Sequence, residues 1–144
     1  GECEYLRFGF HQLLRNKSVD IIQPDICACG GLTEAKRIAS LASTYGVDVV
    51  PHTWGSSIGL HVALHFISNL ESVPGRMFSP DFLLEFDQTE NALREQLTFP
   101  ILEMENGIIQ VPDCPGLGLE VNPDALRKFT NPTNGIADIK ELLK

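Results

Sequence analysis

VDIIQPDICACGGLTEAKRIASLASTYGVDVVPHTWGSS, residues 19–57, decides how this chain folds. Residues 19–23 are a short apolar run halted by Pro24, which predicts a strand ending at the proline. Gly30-Gly31 marks a turn. From Thr33 to about Tyr45, the residues Ala35, Ile38, Ala39, Ala42 and Tyr45 recur on one face of a helix. Gly46 supplies its stop. Residues 47–50 form a second strand, apolar apart from Asp48 and closed by Pro51. Strand, helix and strand, with near-continuous apolar strands, predict parallel pairing through a right-handed crossover. In such a sheet, catalytic groups stand past the carboxyl ends of the strands. Asp25 follows the first strand and His52 the second, so the fold predicts that they meet over one site.

Outward from this unit the alternation continues and then weakens. Residues 5–15 predict a helix with Leu6, Phe10, Leu13 and Leu14 on its apolar face, which leaves Gly1-Glu2 as the tail of a strand. Residues 57–70 predict a helix, 71–81 a loop with two prolines, and 82–86 a further strand. Residues 90–97 read as a short helix, and 101–111 as a hairpin turning at Asn106-Gly107. Residues 114–121 are a Gly/Pro loop running into an extended piece, and Asn122-Pro123-Asp124 opens a helix to Phe129. A turn at 131–135 leads into a polar helix, 136–144. The expected division is 1–96 for the βα units, 97–129 for a C-terminal segment, and 130–144 for a polar tail helix. Three βα steps do not close a barrel, which takes roughly 200 residues or more. An open doubly wound sheet is the structural rival.

Composition narrows the classes. With 43% hydrophobic and 21% charged residues in 144, the chain can bury a core. A net charge of −8 argues against nucleic acid as a partner, although a bound metal could still recruit an anionic substrate. No apolar run approaches the roughly 20 residues of a membrane helix. The opening GECEYLRF has neither the basic start nor the apolar centre of a signal peptide, and without an initiator Met the chain reads as cut or partial. Cys3, Cys27, Cys29 and Cys114 are too few for a disulfide scaffold, so a reduced, cytoplasmic setting is expected. Cys27-Ala-Cys29 has the wrong spacing for common zinc or redox motifs and reads as small side chains packed in a tight loop.

Glu2, Asp25, His52 and Glu85 all fall at strand ends. Taken singly, each has an ordinary reading: a solvated terminus, a turn former, a loop histidine, an edge charge. Parallel topology brings them to one rim, and there their chemistry is coherent. A histidine base needs a partner on its second ring nitrogen, which Asp25 is placed to supply. A carboxylate such as Glu2 suits a hard cation such as Mg²⁺. His61 and His65 stand four apart, but HVALH lacks the Glu of the zinc-protease motif, so packing is the better reading. Gly116-Leu117-Gly118 opens no helix and is no dinucleotide fingerprint. There is no G-x-S-x-G elbow.

The run IIQPDICACGGLTEAKRIASLA…GVDVVPHTWGSSIGLHVAL, followed by LLEFDQTENALRE and VPDCPGLGLEVN, resembles the enolase superfamily in its mandelate racemase-like subgroup. Within it, the chain is most similar to galactarolactone cycloisomerase and sugar-acid dehydratase members. The order and spacing of Glu2, Asp25 and His52 match that subgroup's metal-ligand Glu, dyad Asp and dyad His. The resemblance implies an α/β fold: the C-terminal part of a (β/α)₇β TIM-type barrel, incomplete as given, with a C-terminal segment returning towards an absent capping domain. It implies Mg²⁺ and a sugar acid or its lactone as substrate. A base would remove the proton α to the carboxylate, and cycloisomerisation or dehydration would follow. His52 is then the general acid/base, Asp25 its dyad partner and Glu85 a hydrogen-bonding group near the substrate carboxylate. Trp54 lines the pocket and Glu2 is a metal ligand. The full-length protein would be a homo-oligomer. The family's first two metal ligands, its K-x-K strand and its capping domain have no counterpart here. With one ligand of three, the chain alone is expected to hold Mg²⁺ poorly and to be inactive. The alternative is a non-catalytic remnant or structural module of the same fold.

Overall fold

The computed structural model describes residues 1–71 and 82–130. The first helix, α1 (Leu6–Arg15), turns Phe10 and Leu14 inward one helical turn apart. It ends in a Schellman arrangement: beyond the cap residue Asn16, Lys17 N–H donates to Leu14 O at 3.1 Å and Ser18 N–H to Leu13 O at 3.0 Å. Lys17 takes the left-handed conformation there, at φ 51°. The next helix, α2 (Gly31–Thr44), stops in the same way. Gly46 at φ 70° donates to Ser43 O and Val47 to Ala42 O, each at 3.1 Å. That is the stop expected of Gly46. The buried face of α2 is Glu34, Ala35, Ile38 and Ala42, while Ala39 is only partly buried. Tyr45, expected on the buried stripe, is 43% exposed because it lies beyond the last helical turn as the cap residue.

The strands β1 (Ile21–Ile22) and β2 (Asp48–Val49) pair in parallel, Ile21 with Asp48 and Ile22 with Val49. Pairing continues past both prolines: Val50 N–H donates to Ile22 O at 3.0 Å and His52 N–H to Pro24 O at 3.2 Å. Asp25 and His52 thereby form a parallel bridge. The helix α3 (Ser57–Ile67) is buried on most sides, at Leu60, His61, Ala63, Leu64, Phe66 and Ile67 among others. Ala63, Leu64, Phe66 and Ile67 join Phe10, Leu14, Ile22, Ile26 and Ile38 in one core. Among the described residues, no helix is long and apolar enough to cross a membrane.

The expected strand at 82–86 forms no ladder among the described residues. The carbonyl of Glu85 is instead taken by the Thr53 hydroxyl, and Phe82 and Leu83 are exposed. The short helix α4 (Ala92–Gln96) leads into β3 (Thr98–Phe99), which pairs antiparallel with β4 (Glu120–Val121), a sheet that the sequence did not predict. Between them the expected hairpin is present at its tip. Asn106 (φ 52°) and Gly107 (φ 80°) form the tight turn, and Glu105 and Ile108 exchange two 2.9 Å hydrogen bonds around it. The last helix, α5 (Pro123–Phe129), is capped by Asn122. Asn122 also ties back to α4, through its N–H to Leu97 O at 2.8 Å and its side chain to Gln96 O at 3.1 Å. Most of the expected proline-rich loop, with the turn and the polar helix expected after 130, lies outside the described residues.

Candidate active site

His52 lies three residues past the end of β2, after Val50 and Pro51. Its Nδ1 lies 2.7 Å from Glu85 Oε2 and 3.8 Å from Glu2 Oε2. The ring is mostly covered, with its side chain 17% exposed, against 39% for Glu85 and 51% for Glu2. The same Glu85 oxygen accepts the Thr53 N–H at 3.1 Å. A carboxylate can only accept, so Nδ1 is the donor of this bond, and in the neutral tautomer it carries the ring's single N–H. Nε2 is then the ring atom with a lone pair for a proton.

The structure brings Glu2, His52 and Glu85 together and places Asp25 beside them through the backbone bridge. The Asp25 side chain does not take the imidazole. Its Oδ1 accepts the Cys27 N–H at 2.8 Å, closing the turn that begins the CACGG loop. The expected Asp25 contact at Nδ1 is therefore made by Glu85 instead. An aspartate next to a glycine-bearing loop has a nearby N–H to satisfy, and this local bond wins. Trp54, expected to line a pocket, is 73% exposed. A cavity of about 10 Å³, room for about one water, lies between Thr53, Ser56, Phe86, Asp87, Asn91 and Arg94, and Trp54 is not among the residues that line it.

The neighbouring cysteines are not poised to react. Burial first, and then the Asp25 charge, push the Cys29 thiol up to about 11, and both effects also raise Cys27. Cys3, Cys27, Cys29 and Cys114 are all free thiols. His61 is a core residue, its Nδ1 donating to Ser57 O at 2.8 Å, and His65 Nε2 donates to Leu117 O at 3.1 Å. Both pack as expected. Among the described residues, no group of three or more His, Cys, Asp or Glu side chains could hold a metal. Glu2 offers the hard oxygen that Mg²⁺ prefers, but one carboxylate is not a metal site.

Three residues absent from the sequence expectations brace this region. Thr53 binds both the Glu85 carboxylate and its carbonyl. Asn91 caps α4 and donates to Gly55 O at 3.0 Å. Arg94 reaches Asp87 Oδ2 at 3.0 Å. Bonds from the Thr89 backbone and hydroxyl, and then the Arg94 charge, hold the Asp87 carboxyl below its ordinary range. Asn91 was legible as a cap, with Glu95 in the first turn. Its second bond depends on a loop 36 residues away.

Residues 1–125 match the family described as Enolase C-terminal domain-like. The chain is 42% identical over 132 residues to a D-galactarolactone cycloisomerase of Agrobacterium fabrum, covering 92% of this chain and 35% of that protein. It is 30% identical over 128 residues to an arabinonate dehydratase of Saccharolobus solfataricus, covering 89% and 32%. The crystal structure of the 3,6-anhydro-D-galactonate cycloisomerase of Zobellia galactanivorans superposes with a TM-score of 0.80 at 49% identity, over 91% of this chain and 35% of that one. The chain thus spans about a third of the length of the relatives it matches. Its relatives are barrel proteins of the enolase superfamily, so the C-terminal part of an α/β barrel holds as the fold class and the open doubly wound sheet does not.

Proposed function

Because the chain belongs to the Enolase C-terminal domain-like family, we propose that it is the C-terminal barrel portion of an enzyme acting on a sugar acid or its lactone. The reaction is removal of the proton α to the carboxylate, followed by cycloisomerisation or dehydration. One observation carries the reading: the imidazole of His52 stands at the carboxyl ends of two parallel strands, with Nδ1 held by Glu85 and Glu2 close by. That arrangement leaves Nε2 as the base.

Asp25 is proposed as the dyad partner. Bridged positions on parallel neighbours put their side chains on one face, so its carboxylate needs only a side-chain rotation to leave Cys27 N and approach the ring. Glu85 then turns towards the substrate carboxylate, and Trp54 covers the pocket from the same loop. Mg²⁺ belongs to the complete site, with Glu2 supplying one ligand of three, and there it would hold the negative charge that proton removal creates. The complete protein is proposed as a cytoplasmic homo-oligomer with no nucleic-acid or membrane partner.

The test is a panel of sugar acids and lactones with Mg²⁺, run on the protein as its gene encodes it. The expected result is turnover that His52→Asn lowers by about a hundredfold or more, the scale of acid/base catalysis. Full activity in that variant would overturn the reading. A second reading, a non-catalytic module of the same fold, is favoured by the bond that engages Asp25 with Cys27 and away from His52. A folded protein with no turnover on the panel selects it.

A further inference from the structure

The loop that follows His52 is held from outside its own strand. Residues 53–57 make four bonds to the segment 85–93: Thr53 N–H to the Glu85 carboxylate, Thr53 hydroxyl to the Glu85 carbonyl, Asn91 Nδ2 to Gly55 O, and Ser57 Oγ to Leu93 O. The first two run through Glu85, already part of the site. The Asn91 bond is independent of it.

The orientation of the Asn91 amide is forced. Oδ1 accepts from Leu93 N–H at 3.0 Å and more weakly from Arg94 N–H at 3.4 Å, and only an oxygen can do that. Nδ2 must therefore face the Gly55 carbonyl. Asn91 itself is pinned, because its N–H donates to Glu95 Oε1 at 3.2 Å and α4 begins from it. Arg94, with its side chain 15% exposed, fastens the other end of the turn to Asp87. The segment that presents Glu85 to the imidazole thus also grips the loop that presents the imidazole to Glu85.

We propose that Asn91 is a positioning residue for His52, and this rests on the reading of His52 as the base. By fixing Gly55 relative to α4, it sets the 52–56 backbone against the segment carrying Glu85, and so the distance between His52 and Glu85.

Two substitutions separate this role from simple capping. Asp and Ser cap helices about as well as Asn. Asn91→Asp keeps the cap but offers Gly55 O no donor, and Asn91→Ser keeps the cap without charge or reach. In the protein as its gene encodes it, both should retain the thermal midpoint, while amide exchange in peptides spanning 52–56 speeds up. On the same sugar-acid panel, kcat should fall by roughly tenfold or more with KM little changed, as misplacement of a catalytic group does. Asn91→Gln, which keeps the donor on a longer stem, should recover part of the loss. Wild-type kcat in Asn91→Asp and Asn91→Ser overturns the proposal, and so does lost activity with unchanged exchange at 52–56. Wild-type activity in His52→Asn instead overturns the reading beneath it, which keeps the two failures distinct.

Discussion

The helical unit around β1 and β2 and the segment 82–130 are held by different forces. In the first, Phe10, Leu14, Ile22, Ile38, Ala42, Ala63 and Leu64 are almost wholly buried in one cluster. In the second, Leu97 and Ala125 are the buried apolar residues among those described, while Phe99, Ile101, Met104 and Ile108 are exposed. Leu84, Leu102 and Ile109 lean half-buried on the first unit's core, and the rest of its shape comes from side chains bonded to backbone: Asn91 and Asn122 capping helices, Arg94 reaching the Asp87 and Thr89 carbonyls, Thr53 reaching across to Glu85. Area removed from water stabilises by its amount, whereas single hydrogen bonds contribute about 1 kcal/mol each. The candidate site straddles this divide. His52 stands on the firm side, and its Nδ1 partner comes from the polar side.

The contrast is open to test. Its largest effect should come from Phe10→Ala, which empties the centre of the first unit. A loss of about 3–5 kcal/mol is expected in denaturant unfolding. A loss below about 1 kcal/mol would mean that apolar burial does not dominate there. In the second region, Asn122→Ala removes the cap of α5 and its tie to Gln96, worth about 1 kcal/mol. Amide exchange should quicken across 123–129 while the first unit stays protected, and equal quickening in both would dissolve the distinction.

The smallest effect is electrostatic and joins α1 to α2. Glu34 accepts the Arg7 N–H at the exposed start of α1 and pairs with the Arg7 and Arg37 guanidinium groups. The Arg7 backbone bond first, and then Arg37, hold its carboxyl below the usual glutamate range. Since the folded-state pKa is depressed, the contribution is present above the ordinary value of about 4.3. It is lost as pH falls through the folded value. Unfolding curves of the wild type and Glu34→Gln should differ near neutral pH and converge in acid. A gap that stays constant with pH would assign the effect of Glu34 to packing.

Much of the fold was legible because it is local. The apolar spacing in 33–45 and the glycine at 46 specify a helix and its stop with no help from elsewhere, and Asn106-Gly107 does the same for a turn. The strand expected at 82–86 failed for the complementary reason. Its apolar run suits a strand, but a ladder needs a partner backbone, and the Thr53 hydroxyl takes the Glu85 carbonyl instead. Of the site, Asp25 and His52 were legible as neighbours because parallel order determines which strand ends meet, whereas Glu85 reaches the imidazole from a segment that forms no strand among the described residues. The side-chain pairing was not legible, since Asp25 has a local N–H that no count of residues weighs against the ring of His52.

By itself, then, the sequence determined the helices α1 to α3 with their stops, the parallel pairing that bridges Asp25 to His52, and the family to which the chain belongs. These follow from periodicity, helix stops and motif order, all of which act over a few residues or repeat along the chain. Only the tertiary structure decided which carboxylate holds Nδ1, that Thr53 and Asn91 brace the His52 loop, and that β3 finds β4. Each of those depends on two segments more than 20 residues apart arriving within hydrogen-bond distance. Packing sets that distance, and no local pattern records it.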